Sequence, residues 1–136
     1  MNIDLSPLAR AVARLEEGYA RYLLDEQDSQ IRDGLIQRFE FTYEISHKTL
    51  KRFLRAKAAS PDLYDDLAFA DLIRQGKAHG LLASDWPVWR QFREMRGRTS
   101  HSYDEQIALM VVADIPEFIA EARHLLTALQ QGLLSD

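Results

Sequence analysis

Cysteine is absent from the 136 residues, which removes disulfides, thiolate metal ligands and a cysteine nucleophile in one step. No apolar run approaches the ~20 residues that a membrane-spanning helix needs, and the N-terminal stretch lacks the basic-then-apolar pattern of a secretory signal. The expectation is a cytoplasmic protein without a membrane partner. Sustained strand alternation, Asn-Gly hairpin turns, internal repeats and low-complexity tracts are all missing. So are the Gly-x-x-x-x-Gly-Lys phosphate loop and the Gly-x-Gly-x-x-Gly fingerprint, which argues against the two common kinds of nucleotide-binding enzyme. His47, His79, His101 and His124 are scattered and fit no His-Glu-x-x-His or similar ligand pattern, so neither a metal nor another cofactor is expected.

No strong excess of one charge is present either. Seventeen basic residues stand against 21 acidic ones, a net charge of −4, so the average field weakly repels a polyanion and any nucleic-acid contact must use a local patch. Two patches exist. His47, Lys48, Lys51, Arg52, Arg55 and Lys57 form a run with no acid inside it, for which a solvated helix face is the plain explanation. Arg90, Arg93, Arg96 and Arg98 form the other, interrupted only by Glu94 and followed by His101 and Tyr103.

What remains is ordinary soluble composition, 46% hydrophobic and 28% charged, in a chain whose length fits one domain spanning residues 1–136. Ser6-Pro7 reads as a helix start with Ser6 as cap. Leu8, Val12, Leu15, Tyr19 and Tyr22 then form one stripe on a helix running to about Leu24. From about Gln30 to Ala58 the chain lacks proline, and Ile31, Leu35, Phe39, Ile45, Leu50, Phe53 and Leu54 predict the longest helix. Ile36, Phe41 and Tyr43 widen its stripe, which implies several neighbours or a second protomer; Gly34 is expected to weaken it locally.

Ser60-Pro61-Asp62 breaks the pattern, and Leu63, Leu67, Ala70, Leu72 and Ile73 predict a third helix ending near Gly80, frayed by Gly76. Ser84 or Asp85 caps a fourth, with Trp86, Trp89 and Phe92 facing the core, and Gly97 is its expected terminus. Ser102 and Glu105 have the spacing of a capping box. Beyond them Ile107, Val111, Ile115, Phe118, Ala122, Leu126, Leu129 and Leu133 keep one stripe across Pro116, where the helix either kinks or restarts with Asp114 as cap. The predicted fold is an all-α antiparallel up-and-down bundle of four to five main helices.

Chemistry concentrates between Arg93 and Glu105. A relay of Ser100, His101 and Asp104 is disfavoured, because near-adjacent side chains do not generally form one and no nucleophile elbow is visible. Five residues apart on an unbroken helix, Arg96 and His101 would point about 140° away from each other; a break at Gly97 is expected to remove that obstacle. A helix starting near Ser102 would favour a neutral His101 able to accept a proton, and Arg96 and Arg98 are permanently charged forks suited to phosphate oxygens. Together they are equipment for metal-free RNA cleavage: the base removes the 2′-hydroxyl proton while the guanidinium stabilises the phosphorane.

The string Arg96-Gly97-Arg98-Thr99-Ser100-His101-Ser102-Tyr103-Asp104-Glu105 resembles the arginine-to-histidine signature of the HEPN superfamily, and specifically of the HepT-like proteins, also called the nucleotidyltransferase substrate-binding family. Arg38-Phe39-Glu40-Phe41-Thr42-Tyr43-Glu44, Lys48-Thr49-Leu50-Lys51, Leu72-Ile73-Arg74, Gly80-Leu81-Leu82 and Ile115-Pro116-Glu117-Phe118 agree with it. The resemblance implies a helical bundle that forms a homodimer with both Arg/His motifs in a shared cleft. It further implies a partner, a minimal nucleotidyltransferase encoded as a separate chain. In toxin–antitoxin pairs of this family the HEPN protein is the ribonuclease toxin, and the transferase silences it by adding AMP to the tyrosine after the histidine. Carried over, Arg96 and His101 are catalytic, Tyr103 is the modified hydroxyl, and Arg93, Arg98 and Ser100 bind RNA or nucleotide. AMP on Tyr103 would put bulk and negative charge where RNA phosphate should sit.

Two positions depart from the family pattern: Gly97 replaces a polar residue, often asparagine, and His47 stands where many relatives have tryptophan. The first bears on activity, and the alternative is a non-catalytic subunit that presents substrate to its transferase. The chain is not itself that transferase, since it has neither a Gly-Ser dipeptide nor an Asp-x-Asp pair for magnesium.

Overall fold

The computed structural model describes residues 2–134. Five α-helices follow one another: α1 (Ser6–Leu24), α2 (Ser29–Lys57), α3 (Phe69–Ala78), α4 (Trp86–Arg98) and α5 (Glu105–Leu134). Short 3₁₀ turns occupy Pro61–Tyr64 and Thr99–His101, and no strand occurs among the described residues. No described helix is long and apolar enough to cross a membrane.

Contacts between equivalent heights fix the helix directions. Thr42 donates to the Ala11 carbonyl and Arg38 to that of Arg14, so residue numbers on α1 fall as those on α2 rise, and the two run antiparallel. Arg32 meets Glu105, Phe39 meets Phe118 and Lys57 reaches the Gly132 carbonyl, so α5 runs parallel to α2. Trp89 and Phe92 both pack on Phe118, while Glu121 binds the amides of Ala83 and Ser84 just ahead of α4, which makes α4 antiparallel to α5. The result is the expected all-α up-and-down bundle, with α3 as a short brace beside α2 and α4.

The predicted stripes become its core. Leu8, Val12 and Leu15 of α1, Leu35, Phe39 and Leu50 of α2, Trp89 and Phe92 of α4, and Val111, Ile115, Phe118 and Leu126 of α5 are all buried. Phe118 is the hub, edge-on to Phe39 at 5.0 Å, Phe92 at 5.2 Å and Trp89 at 6.1 Å, arrangements that align ring edges with ring faces. Ile36 and Tyr43, off the main line of α2, are buried because α2 is flanked by α1, α4 and α5 at once; Phe41 remains exposed.

Several boundaries differ from the sequence expectations. Ser6 is the first helical residue, not the cap: its amide donates to the Asp4 carboxylate at 2.9 Å. At 30 residues α5 exceeds the 29 of α2, and α2 passes through Gly34 unbroken. The predicted third helix splits, leaving Leu63 exposed in the 3₁₀ turn at Pro61–Tyr64 before α3 starts at Phe69. Gly76 does not fray α3; it is buried where a Cβ would lie 2.9 Å from Leu82 Cδ1 and 3.0 Å from Leu50 Cδ2. The stop is Gly80, whose φ of 75° turns the chain so that the Leu81 amide donates to the Gly76 carbonyl. Asp85, not Ser84, caps α4 through the Trp86 amide.

Gly97 ends nothing, because α4 continues through it to Arg98 and tightens into the Thr99–His101 turn. No capping box forms at Ser102. Asp104 caps α5 instead, accepting from the amides of Gln106 at 2.9 Å and Ile107 at 3.3 Å, while Glu105 turns away to pair with Arg32 at 3.5 Å. Between the kinked and the split helix at Pro116, the outcome is one continuous α5. Proline there costs a single backbone bond on the helix's exposed side.

Candidate functional site

Arg96 lies in the last turn of α4, facing α2. Glu40 and Glu44 are one helical turn apart on α2, which puts both carboxylates on the same face. Glu40 Oε2 approaches Arg96 Nη1 at 3.4 Å, and Glu44 Oε1 approaches Nε at 3.4 Å. Buried Thr99 completes the clamp: its hydroxyl accepts from Arg96 Nη1 at 2.9 Å and donates to the Arg96 carbonyl at 2.6 Å. Nε itself is buried and has no aligned hydrogen bond, so Glu44 attracts it by charge alone. A groove of about 300 Å³ opens here, lined by Gln37, Glu40, Phe41, Glu44 and Arg96.

The second oxygen of Glu44 is also engaged. His47 Nε2 lies 3.2 Å from Oε2, and because a carboxylate only accepts, the ring must donate from that nitrogen. Tyr43 and Phe69 stand edge-on to His47, each at 5.2 Å. Burial in this aromatic setting pushes the imidazole below its ordinary range, opposed by Glu44. Tyr43 is pushed up to about 12, first by burial and then by the neighbouring Glu44 charge.

The remaining predicted residues spread along one edge. Arg93 is exposed, with its guanidinium 5.7 Å from the Phe69 ring centre. Arg98 closes α4 half-buried, and the exposed Ser100 donates to the Gly97 carbonyl at 3.0 Å. His101 ends the 3₁₀ turn, exposed, and its ring centre is 6.2 Å from that of Tyr103. Tyr103 is 86% exposed, further out than any other large apolar side chain described. No hydrogen bond or ion pair joins Arg96 to His101: Arg96 is engaged by Glu40, Glu44 and Thr99, and the break expected at Gly97 does not form. The helix start moves from Ser102 to Glu105, so His101 is not at the N-terminus of α5.

Glu40, Glu44 and Thr99 were missed as members of this site. Their signal was available in the i, i+4 spacing of the two acids and in the three-residue step from Arg96 to Thr99, but nothing local showed that α2 would face α4 here. The basic run on α2 is mostly structural: Arg55 pairs with Asp65 at 2.9 Å, and Lys57 lies over Phe53 and bonds the Gly132 carbonyl. Among the described residues no group of three or more histidine or acidic side chains is placed to hold a metal ion. A roomier groove of about 580 Å³, between α1 and the start of α2 near Gly18 and Gly34, does not include any of the predicted site residues.

The all-α bundle fits one class of protein by its sequence as well: the chain belongs to the nucleotidyltransferase substrate binding protein-like family, which matches residues 3–131. A Haemophilus influenzae protein named probable ribonuclease HepT is 39% identical over 137 residues, which cover 95% of this chain and 93% of that one. A solved Haemophilus influenzae structure, described as the fold of a substrate-binding domain of a nucleotidyltransferase, superposes with a TM-score of 0.86 at 35% identity, covering 93% of this chain and 99% of its own. A Thermus thermophilus crystal structure matches with a TM-score of 0.74 at 27% identity over 90% of this chain and 98% of its own.

Proposed function

We propose that this protein is a metal-independent endoribonuclease toxin that works as a cytoplasmic homodimer and is silenced by a separate minimal nucleotidyltransferase. The observation that carries the reading is the junction between α4 and α5: His101 and Tyr103 stand exposed side by side just beyond the turn that bears Arg96. The name of the Haemophilus relative supports the activity. In this reading His101 takes the 2′-hydroxyl proton, the oxygen attacks the adjacent phosphorus, and the 5′-oxygen leaves as the cyclic phosphate closes, taking up a proton from solvent to become the 5′-hydroxyl. Arg96 stabilises the extra negative charge of the phosphorane. Since the two groups do not touch within one protomer, the homodimer supplies the shared cleft, and Arg93, Arg98 and Ser100 hold flanking phosphates. Silencing transfers AMP from ATP to the Tyr103 phenol oxygen, with pyrophosphate as the leaving group.

A second reading is favoured by a specific contact: two carboxylates already bracket Arg96, which suits a non-catalytic subunit that presents substrate to its transferase. Incubating the purified protein with RNA beside His101→Ala and Arg96→Ala separates the two. The toxin reading expects cleavage that falls by 10²–10⁴-fold on loss of either group, the usual contribution of a positioned acid–base or charge-stabilising residue. Cleavage indifferent to both substitutions would sink the catalytic assignment, and no cleavage by any protein would favour the subunit. Mass spectrometry after incubation with the partner transferase and ATP tests Tyr103, and AMP mapped elsewhere would remove that role.

A further inference from the structure

Glu44 is shared. One oxygen serves Arg96 Nε at 3.4 Å and the other His47 Nε2 at 3.2 Å. The two contacts are unequal: the histidine contact is a hydrogen bond, whereas the arginine N–H is buried and unbonded despite the nearby charge. A buried donor left without an aligned acceptor is costly, and a rotation of the Glu44 carboxylate would cure it if the carboxylate were free. It is not free, because its other oxygen is bonded to His47, which packs edge-on against both Tyr43 and Phe69. Lys48, 4.0 Å from the same Oε2, adds a weaker pull in the direction of His47.

The geometry points to His47 as a positioning residue that acts through Glu44 to keep Arg96 only loosely latched. With His47 in place the guanidinium is oriented by Glu40, Glu44 and Thr99, yet its buried Nε–H donates no hydrogen bond to Glu44 and the charge stays only loosely paired. Without the histidine N–H, Glu44 closes on Nε, and Arg96 becomes a fully neutralised structural ion pair. The charged and titratable groups around this pair are Glu40, Tyr43, Glu44, Lys48 and Lys51 on α2, and Arg93 and Arg96 on α4; α3 contributes the uncharged Phe69. The functional meaning of the latch rests on the ribonuclease reading, since only then does Arg96 need to meet phosphate, but the latch itself does not.

The test is hydrogen exchange at the Arg96 Nε–H, followed by NMR in the full-length protein. His47→Phe keeps an aromatic ring in the Tyr43–Phe69 niche and removes the donor; exchange should slow on the order of tenfold, the factor that one hydrogen bond of ordinary net strength corresponds to. His47→Gln, whose amide nitrogen can donate from nearly the same place, should restore the wild-type rate. In a Glu44→Gln background the difference between the histidine and phenylalanine forms should vanish. Equal exchange in wild type and His47→Phe would overturn the proposal. A second measurement needs no variant: the ¹⁵N shifts of His47 must report the Nε2–H tautomer, and an Nδ1–H ring would overturn it as well. If the ribonuclease reading holds, His47→Phe also lowers kcat for RNA cleavage more than it raises KM, because Arg96 acts on the transition state, with rescue by His47→Gln. If no form cuts RNA, that reading fails while the exchange data still decide the latch.

Discussion

Two glycines that look alike in sequence behave oppositely as residues. Gly97 sits in helical backbone with nothing within 4 Å of where a Cβ would be, while Gly76 would drive a Cβ into Leu82 and Leu50. Gly97→Ala should therefore stabilise the protein by about 0.4–1 kcal/mol through reduced unfolded-state entropy and better helix propensity, and Gly76→Ala should destabilise it by about 1–3 kcal/mol through overpacking. Chemical denaturation with unchanged slope checks both. Titration is also a residue property here. The raised Tyr43 phenol contributes stability that is fully present below its ordinary value of 10 and lost as pH rises through about 12, because the unfolded chain ionises first. The lowered His47 works at the other end, contributing stability present above 6.5 and lost as pH falls, since the unfolded ring takes the proton first. Following phenolate absorbance should show late-titrating components from Tyr43 and Tyr22, both raised first by burial, and Tyr43→Phe should remove the one at about 12. The site was only half legible at this scale: Arg96, His101 and Tyr103 stand out as chemistry in one short stretch, whereas Glu40 and Glu44 look like any solvated acids until α4 is laid against α2.

At the scale of elements, the α4–α5 junction shows how a correct motif can carry the wrong assignment. Ser102 and Glu105 have capping-box spacing, but α5 starts at Glu105, which puts Asp104 at the cap, and its carboxylate, a strong acceptor, takes the amides of Gln106 and Ile107. Asp104→Ala should cost about 0.5–2 kcal/mol, and Ser102→Ala should stay within about 0.5 kcal/mol; thermal melts of the two variants make the comparison direct. The same competition displaced Ser6 by Asp4 at the start of α1. Helix ends are set by which of several adjacent polar groups reaches an unpaired amide, and that is a matter of angles that spacing does not encode. The interiors of α1, α2 and α5 were read correctly because periodicity averages over many residues, whereas the shorter third stripe, begun at Leu63, was not. Pro116 passes without a break because the apolar stripe on both sides packs on the same neighbours and holds the backbone through one missing bond.

For the whole molecule, the centre of gravity is the aromatic contact among Phe39, Trp89, Phe92 and Phe118. One residue from each of α2 and α5 and two from α4 meet there, so Phe118→Ala should lose about 3–5 kcal/mol. Much of the stability of a domain of this size would go with it, and the variant should melt far below wild type in calorimetry. The amino-acid pattern by itself determined that the chain is helical, that it has four to five main helices, which face of the long ones is buried and where its chemistry is concentrated. All of these follow from local periodicity and residue type. Only the tertiary structure decided that Arg96 is held by Glu40, Glu44 and Thr99, that His47 shares Glu44, and that His101 stands apart from Arg96 within a protomer. The physical reason is that those facts depend on the rotation and height of α4 against α2, which are set by how Trp89 and Phe92 interlock with Phe39 and Phe118, and these two α4 residues lie about 50 residues away in sequence from the carboxylates they face.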